Sequence, residues 1–137
     1  MLAAFSAAMA KNTLTLGEAY EMEALYIAGF KSKEFQEILW AGYKNARGDP
    51  VQTVKARQAA TWTVQEKVLE KLGFEATKKG LGASISAMMK LNPDTEPTLA
   101  SNHKLIDWLI NPNQQEINWD FIHDAQVPRP EKYIPTE

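Results

Sequence analysis

Cysteine is absent from the chain, which excludes a disulfide framework, a thiolate metal site and thiol redox chemistry, and fits a reducing compartment. Histidine is nearly as scarce: His103 and His123 stand in separate segments, a poor basis for a metal centre. No apolar run reaches the length of a membrane span, so no membrane partner is expected. The opening MLAAFSAAMAK is apolar and rich in small residues but short, and it lacks the basic leader of a secretory signal. It reads as an accessory arm of helical character or as the product of an upstream start site. Internal repeats, heptad arrays and low-complexity runs are missing too. So is a GxxxxGK[ST] phosphate loop, since Gly80-Leu81-Gly82 has neither the lysine nor the spacing for one. Neither an enzyme nor a cofactor is expected.

What remains is ordinary globular material, 45% hydrophobic and 23% charged over 137 residues, enough for one domain or for a small head with an appendage. The net charge of -2 conceals a segregation. Residues 31–80 hold ten Lys or Arg against six acids, a balance of +4, whereas residues 81–137 hold four against eight, a balance of -4. A basic middle beside an acidic end suits an anionic partner at one end of the molecule.

The pattern along the chain is helical. Thr15 and Glu18 have capping-box spacing, so a helix is expected from Leu16 to a stop at Gly29, with Met22, Leu25 and Tyr26 on its apolar face. Ser32 can cap a second helix, KEFQEILWA, burying Phe35, Ile38 and Leu39 and ending at Gly42. Asp49-Pro50 is a strong helix start, the carboxylate accepting from free amides and proline favoured in the first turn. No breaker follows until Gly73, which predicts a third helix of about 24 residues, roughly 36 Å long. Its apolar seam resumes in Leu81, Ile85, Met88 and Met89 after a break at Gly80-Leu81-Gly82, predicting an antiparallel hairpin. Ser101 can cap a short helix, NHKLIDWLI, ended by Asn111-Pro112. Beyond it the chain is polar, acidic and punctuated by proline, an expected extended tail in which EINWDFI is the one weak strand-like stretch.

The first three helices make a unit the size of a helix-turn-helix head, in which a third helix enters the major groove and flanking cations hold phosphates. Lys31, Lys33, Lys44, Arg47, Lys55 and Arg57 lie in that unit and are the candidate DNA contacts, with Tyr43 closing its core. The bland alternative is a set of solvated charges between core helices.

Residues 14–73 resemble two helix-turn-helix families. LTLGE, AGFKSKE, TVKAR and EKLG follow the order of a LuxR-type regulator head, but the loop LWAGYKNARGDP separates elements that lie a few residues apart in that family. Over residues 14–112 the chain resembles the small subunit of tailed-phage terminases. ILWAGYKNA matches that family's helix before an Ala-Gly-Tyr step, TVKARQAATWTVQEKV its small-residue helix, and HKLIDWLI its short helix with a Lys-Leu core. That resemblance implies an all-α chain with a helix-turn-helix head at 13–58, a helical hairpin for oligomerisation at 59–112 and an extended acidic tail at 113–137. It implies a non-catalytic adaptor in the host bacterial cytoplasm: a homo-oligomeric ring that binds packaging-initiation double-stranded DNA and presents it to the large terminase subunit. Several weakly basic heads on one ring would bind one duplex tightly through effective concentration. A LuxR-like dimeric regulator and a structural helical oligomer without nucleic acid remain the alternatives.

Other constellations are weaker. His103 with Asp107, or His123 with Asp120 and Asp124, lacks a third strong ligand. Asp107, Glu116, Asp120 and Asp124 show no ordered metal-ligand pattern. Trp108, Trp119 and Phe121 could stack on bases, but acidic neighbours oppose phosphate, and docking on a partner protein suits them better.

Overall fold

The computed structural model describes residues 10–111, and among them the chain is all-helical. The expected N-terminal arm and acidic tail fall outside this range, as do EINWDFI, Glu116, Trp119, Asp120, Phe121, His123 and Asp124. The elements are α1 (Leu16–Phe30), α2 (Lys33–Ala46), α3 (Pro50–Lys71), α4 (Lys78–Met89), a 3-10 turn at Pro93–Thr95 and α5 (Pro97–Ile110).

Local chemistry starts the helices as expected in two cases. The Thr15 hydroxyl accepts from the Glu18 amide while Glu18 accepts from the Thr15 amide, a complete capping box, and Ser32 accepts from the Phe35 amide. Asp49 occupies the cap position of α3, yet its carboxylate makes no capping bond, leaving Pro50 as the local start signal. Ser101 lies inside α5. The cap there is Glu96, whose side chain accepts from the Leu99 amide just ahead of Pro97.

The glycines behave differently from the sequence expectation. Gly42 does not end α2, which runs on to Ala46, whereas α1 stops one residue past Gly29; each glycine sits where α3 passes too closely for a side chain. A Cβ on Gly29 would come within 2.5 Å of a Val64 methyl, and one on Gly42 within 3.0 Å of the Ala56 Cβ. The expected break at Gly80-Leu81-Gly82 is likewise helix. The chain turns instead over residues 72–77, Thr77 caps α4, and a Cβ on Gly80 would strike the Glu75 carbonyl oxygen.

Three helices run lengthwise through the molecule. α5 is parallel to α1: Tyr20 bonds Glu96 near their starts, while Gln36 bonds the carbonyls of both Phe30 and Leu109 near their ends. α3 is antiparallel to α1, with Val64 against Gly29 and Leu72 beside Lys11. α2 lies antiparallel along α3, its start beside Lys67 and Lys71 and its end beside Gln52 and Ala56. The most extensive helix pair is therefore α2–α3, while α4 touches α3 more sparsely than the expected hairpin implied. One core cluster gathers Leu14, Ala19, Met22, Leu69, Met88 and Leu99, and a second gathers Ile27, Phe30, Phe35, Leu39, Leu105 and Leu109. Ile38, expected in the stripe of α2, is half exposed. The junction expected near residue 58 falls in the middle of α3, and the second cluster draws residues from both sides of it.

Candidate nucleic-acid interface and an adjoining cleft

The tip of the α2–α3 hairpin is built by two consecutive left-handed residues, Arg47 (φ 51°) and Gly48 (φ 80°), which reverse the chain between two close-packed helices. Glycine accepts that conformation freely, and arginine does so at a cost of roughly 1 kcal/mol. The first ten residues of α3 hold no buried side chain, so this end of the hairpin stands out from both core clusters. Lys44, Arg47 and Lys55 are exposed there. Between Glu37 and Glu66 the sole acidic residue is Asp49, so the tip is cationic over its whole length.

The other candidate cations do not join them. Arg57 is half-buried and hydrogen-bonds the Tyr43 hydroxyl, which itself donates to the Ile110 carbonyl at 2.6 Å. Burial raises the Tyr43 pKa, and the Arg57 guanidinium opposes that rise. Two residues apart on a helix, Lys55 and Arg57 point about 200° away from each other. Arg57 is thus a structural cation tying α3 to Tyr43 of α2, whose hydroxyl reaches the end of α5, and Tyr43 is packed against the second core cluster. Lys33 opens α2 at the end opposite Lys44, about 16 Å away along the axis, and Lys31 caps α1 beside it.

Of the four buried polar residues among those described, Gln36 and Glu23 are the largest, and neither has a counterpart in the sequence expectations. Gln36 is fully buried. Its amide nitrogen donates to Phe30 O (2.6 Å) and Leu109 O (2.8 Å), while its oxygen accepts from Trp40 Nε1 (3.1 Å). It thereby satisfies carbonyls at two helix ends that would otherwise be buried without donors. Glu23 is 1% exposed on the inner face of α1. His103 Nε2 lies 2.6 Å from its Oε2 and Asn102 is its other polar neighbour, yet neither oxygen has a well-directed hydrogen bond. Burial pushes the Glu23 pKa up to about 7; Asn102 opposes the rise and Glu96 adds to it. A signal for both residues was present in the helical period: Glu23 is in phase with Ala19 and Ile27, and Gln36 with Leu39.

Glu23 and His103 line a cleft of about 370 Å³ whose walls are mainly apolar, among them Met22, Tyr26, Met88 and Ile106, with Arg57 also lining it. Ser84 lines it too, but its hydroxyl is spent on the Leu81 carbonyl at 2.7 Å, so it is not presented to His103 as a nucleophile. His103 is turned toward Glu23 rather than paired with Asp107, which is exposed. Among the described residues no group of three His, Asp or Glu side chains is placed to hold a metal ion, and no helix is long and apolar enough to cross a membrane. Comparison with protein-family models, curated proteins and solved structures finds no match to this chain.

Proposed function

We propose that the protein is a non-catalytic DNA-binding adaptor of the small-terminase kind, which holds duplex DNA on the α2–α3 tip and passes it to a large packaging subunit. The observation that carries this reading is the tip itself: Lys44, Arg47 and Lys55 exposed on the end of a hairpin where, between Glu37 and Glu66, Asp49 is the sole carboxylate. Cations so arranged fit the phosphate backbone, and the exposed first turns of α3 are slender enough for a groove. In this reading residues 13–58 supply the head, 59–112 the contacts between subunits of a ring, and 113–137 a docking tail for the large subunit. Because α2 lies along α3 rather than across it, the hairpin tip meets DNA in place of the flank of a recognition helix. That geometry lends nothing to the LuxR-type alternative.

A second reading, a helical oligomer with no nucleic-acid role, draws on Val51 and Val54, two exposed valines beside the same cations. Both readings are tested by a Lys44→Glu, Lys55→Glu variant in a titration of duplex DNA against salt. On the adaptor reading affinity drops and the slope of log K against log salt falls by about 2, one phosphate contact for each lysine. Unchanged binding, or no binding by the parent chain, would reject it. Solution mass separates a closed ring from a dimer or a monomer.

A further inference from the structure

We propose that the cleft bounded by α1, α3, α4 and α5 binds a small ligand in which an apolar body, such as a phenylethyl group, carries a cationic amine seated on the Glu23 carboxylate. The cleft is about 370 Å³, toward the lower end of the roughly 300–1,000 Å³ typical of small-molecule sites, and its walls are mainly apolar. Met22, Tyr26, Phe30, Met88 and Met89 line it, and thioether and aromatic side chains of this kind adapt to a flat apolar ring. Ile85 and Met89 are 54% and 59% exposed in the same lining, so apolar surface is left uncovered there.

The polar part of the lining selects the headgroup. Glu23, Thr61 and Ser84 are its buried polar residues. The Thr61 and Ser84 hydroxyls donate to the Gln58 and Leu81 carbonyls. Glu23 differs from both: His103 and Asn102 stand beside it on α5, yet neither carboxylate oxygen has a well-directed hydrogen bond. A buried carboxylate in that state costs stability, and a donor that also carries positive charge offsets most of the cost. The surrounding charges agree in sign. Glu96 sets a second carboxylate near Glu23, while the Arg57 guanidinium is held by the Tyr43 hydroxyl. An anionic headgroup would meet two like charges, and a neutral hydroxyl would leave the Glu23 charge uncompensated.

The test uses the full chain and involves no DNA. Protein labelled with carbon-13 at the methionine methyls is titrated at pH 8, where Glu23 is largely ionised, with 2-phenylethylamine, 2-phenylethanol and 3-phenylpropanoate. The amine is expected to shift the Met22 and Met88 resonances and to bind about tenfold or more tightly than the alcohol, with the carboxylate weakest. Glu23→Gln should erase the preference for amine over alcohol. Ile85→Trp, which narrows the cleft at a residue outside both core clusters, should weaken amine and alcohol together. Wild-type selectivity and the Ile85→Trp variant decide the matter by themselves if Glu23→Gln does not fold. Absence of a shift with the amine would refute the site, as would binding indifferent to Ile85→Trp. Alcohol bound as tightly as amine, or a preference that survives Glu23→Gln, would remove the carboxylate as the selecting group. Tightest binding by 3-phenylpropanoate would assign the cleft to anions held by Arg57. Each of these results overturns the proposal.

Discussion

Glu23 should make the protein less stable as the solution passes from mildly acidic to mildly alkaline. In the folded chain burial holds its pKa near 7, against an ordinary 4.5. Between those values the unfolded chain releases this proton while the folded chain keeps it, so stability falls as pH rises through the window and levels off above it. A displacement of that size corresponds to about 3 kcal/mol, or roughly 10 °C in the thermal midpoint of a chain this long. The groups that face Glu23 are Glu96, Asn102 and His103 from α5, Tyr20 and Tyr26 from its own helix, and Arg57 from α3 across the cleft. Glu18 and Glu96 have lowered pKa values, Glu18 chiefly through Lys11 and Glu96 chiefly through the Leu99 amide. Their loss of stability on acidification begins below the window, so it does not mask the effect. Urea unfolding at pH 5 and pH 8 checks the prediction. Wild type should lose most of the stated energy between the two, Glu23→Gln should lose little, and His103→Gln should keep the wild-type trend. If Glu23→Gln declines as steeply as wild type, the buried carboxylate is not the cause and the argument fails.

The remaining predictions concern packing and the hairpin tip. Gln36→Leu should cost about 2–4 kcal/mol in urea unfolding, since it strips donors from the Phe30 and Leu109 carbonyls. Arg47→Gly relieves a left-handed arginine and should raise stability by about 1 kcal/mol while lowering DNA affinity, so the two measurements move in opposite directions. Arg57→Ala should lower the unfolding midpoint by removing the partner of Tyr43, yet leave the salt slope of DNA binding unchanged. Gly42→Leu, forced against Ala56, should cost about 1–3 kcal/mol, whereas Gly82→Leu, facing open space, should stay within about 0.5 kcal/mol of wild type.

Much of this molecule is legible in the order of its residues. The all-helical character, the capping box at Thr15, the side-chain cap at Ser32, the start at Pro50 and the unusual length of α3 depend on bonds and steric limits within a few residues, which neighbouring residue types specify directly. Other features depend on what lies across a gap that the chain closes only on folding. Gly42 looks like a helix stop until Ala56 presses against it, and a glycine that packs closely has the same local signature as one that ends a helix. Lys55 and Arg57 look alike in a basic stretch, yet Tyr43 reaches one of them and solvent the other. Glu23 on an apolar stripe hints at a buried carboxylate, but its environment is made by α5, which arrives seventy residues and more later in the chain. Short-range hydrogen bonding selects the helices; the crossing of α3 and α5 with their neighbours selects which charges are buried and which are free to meet a partner.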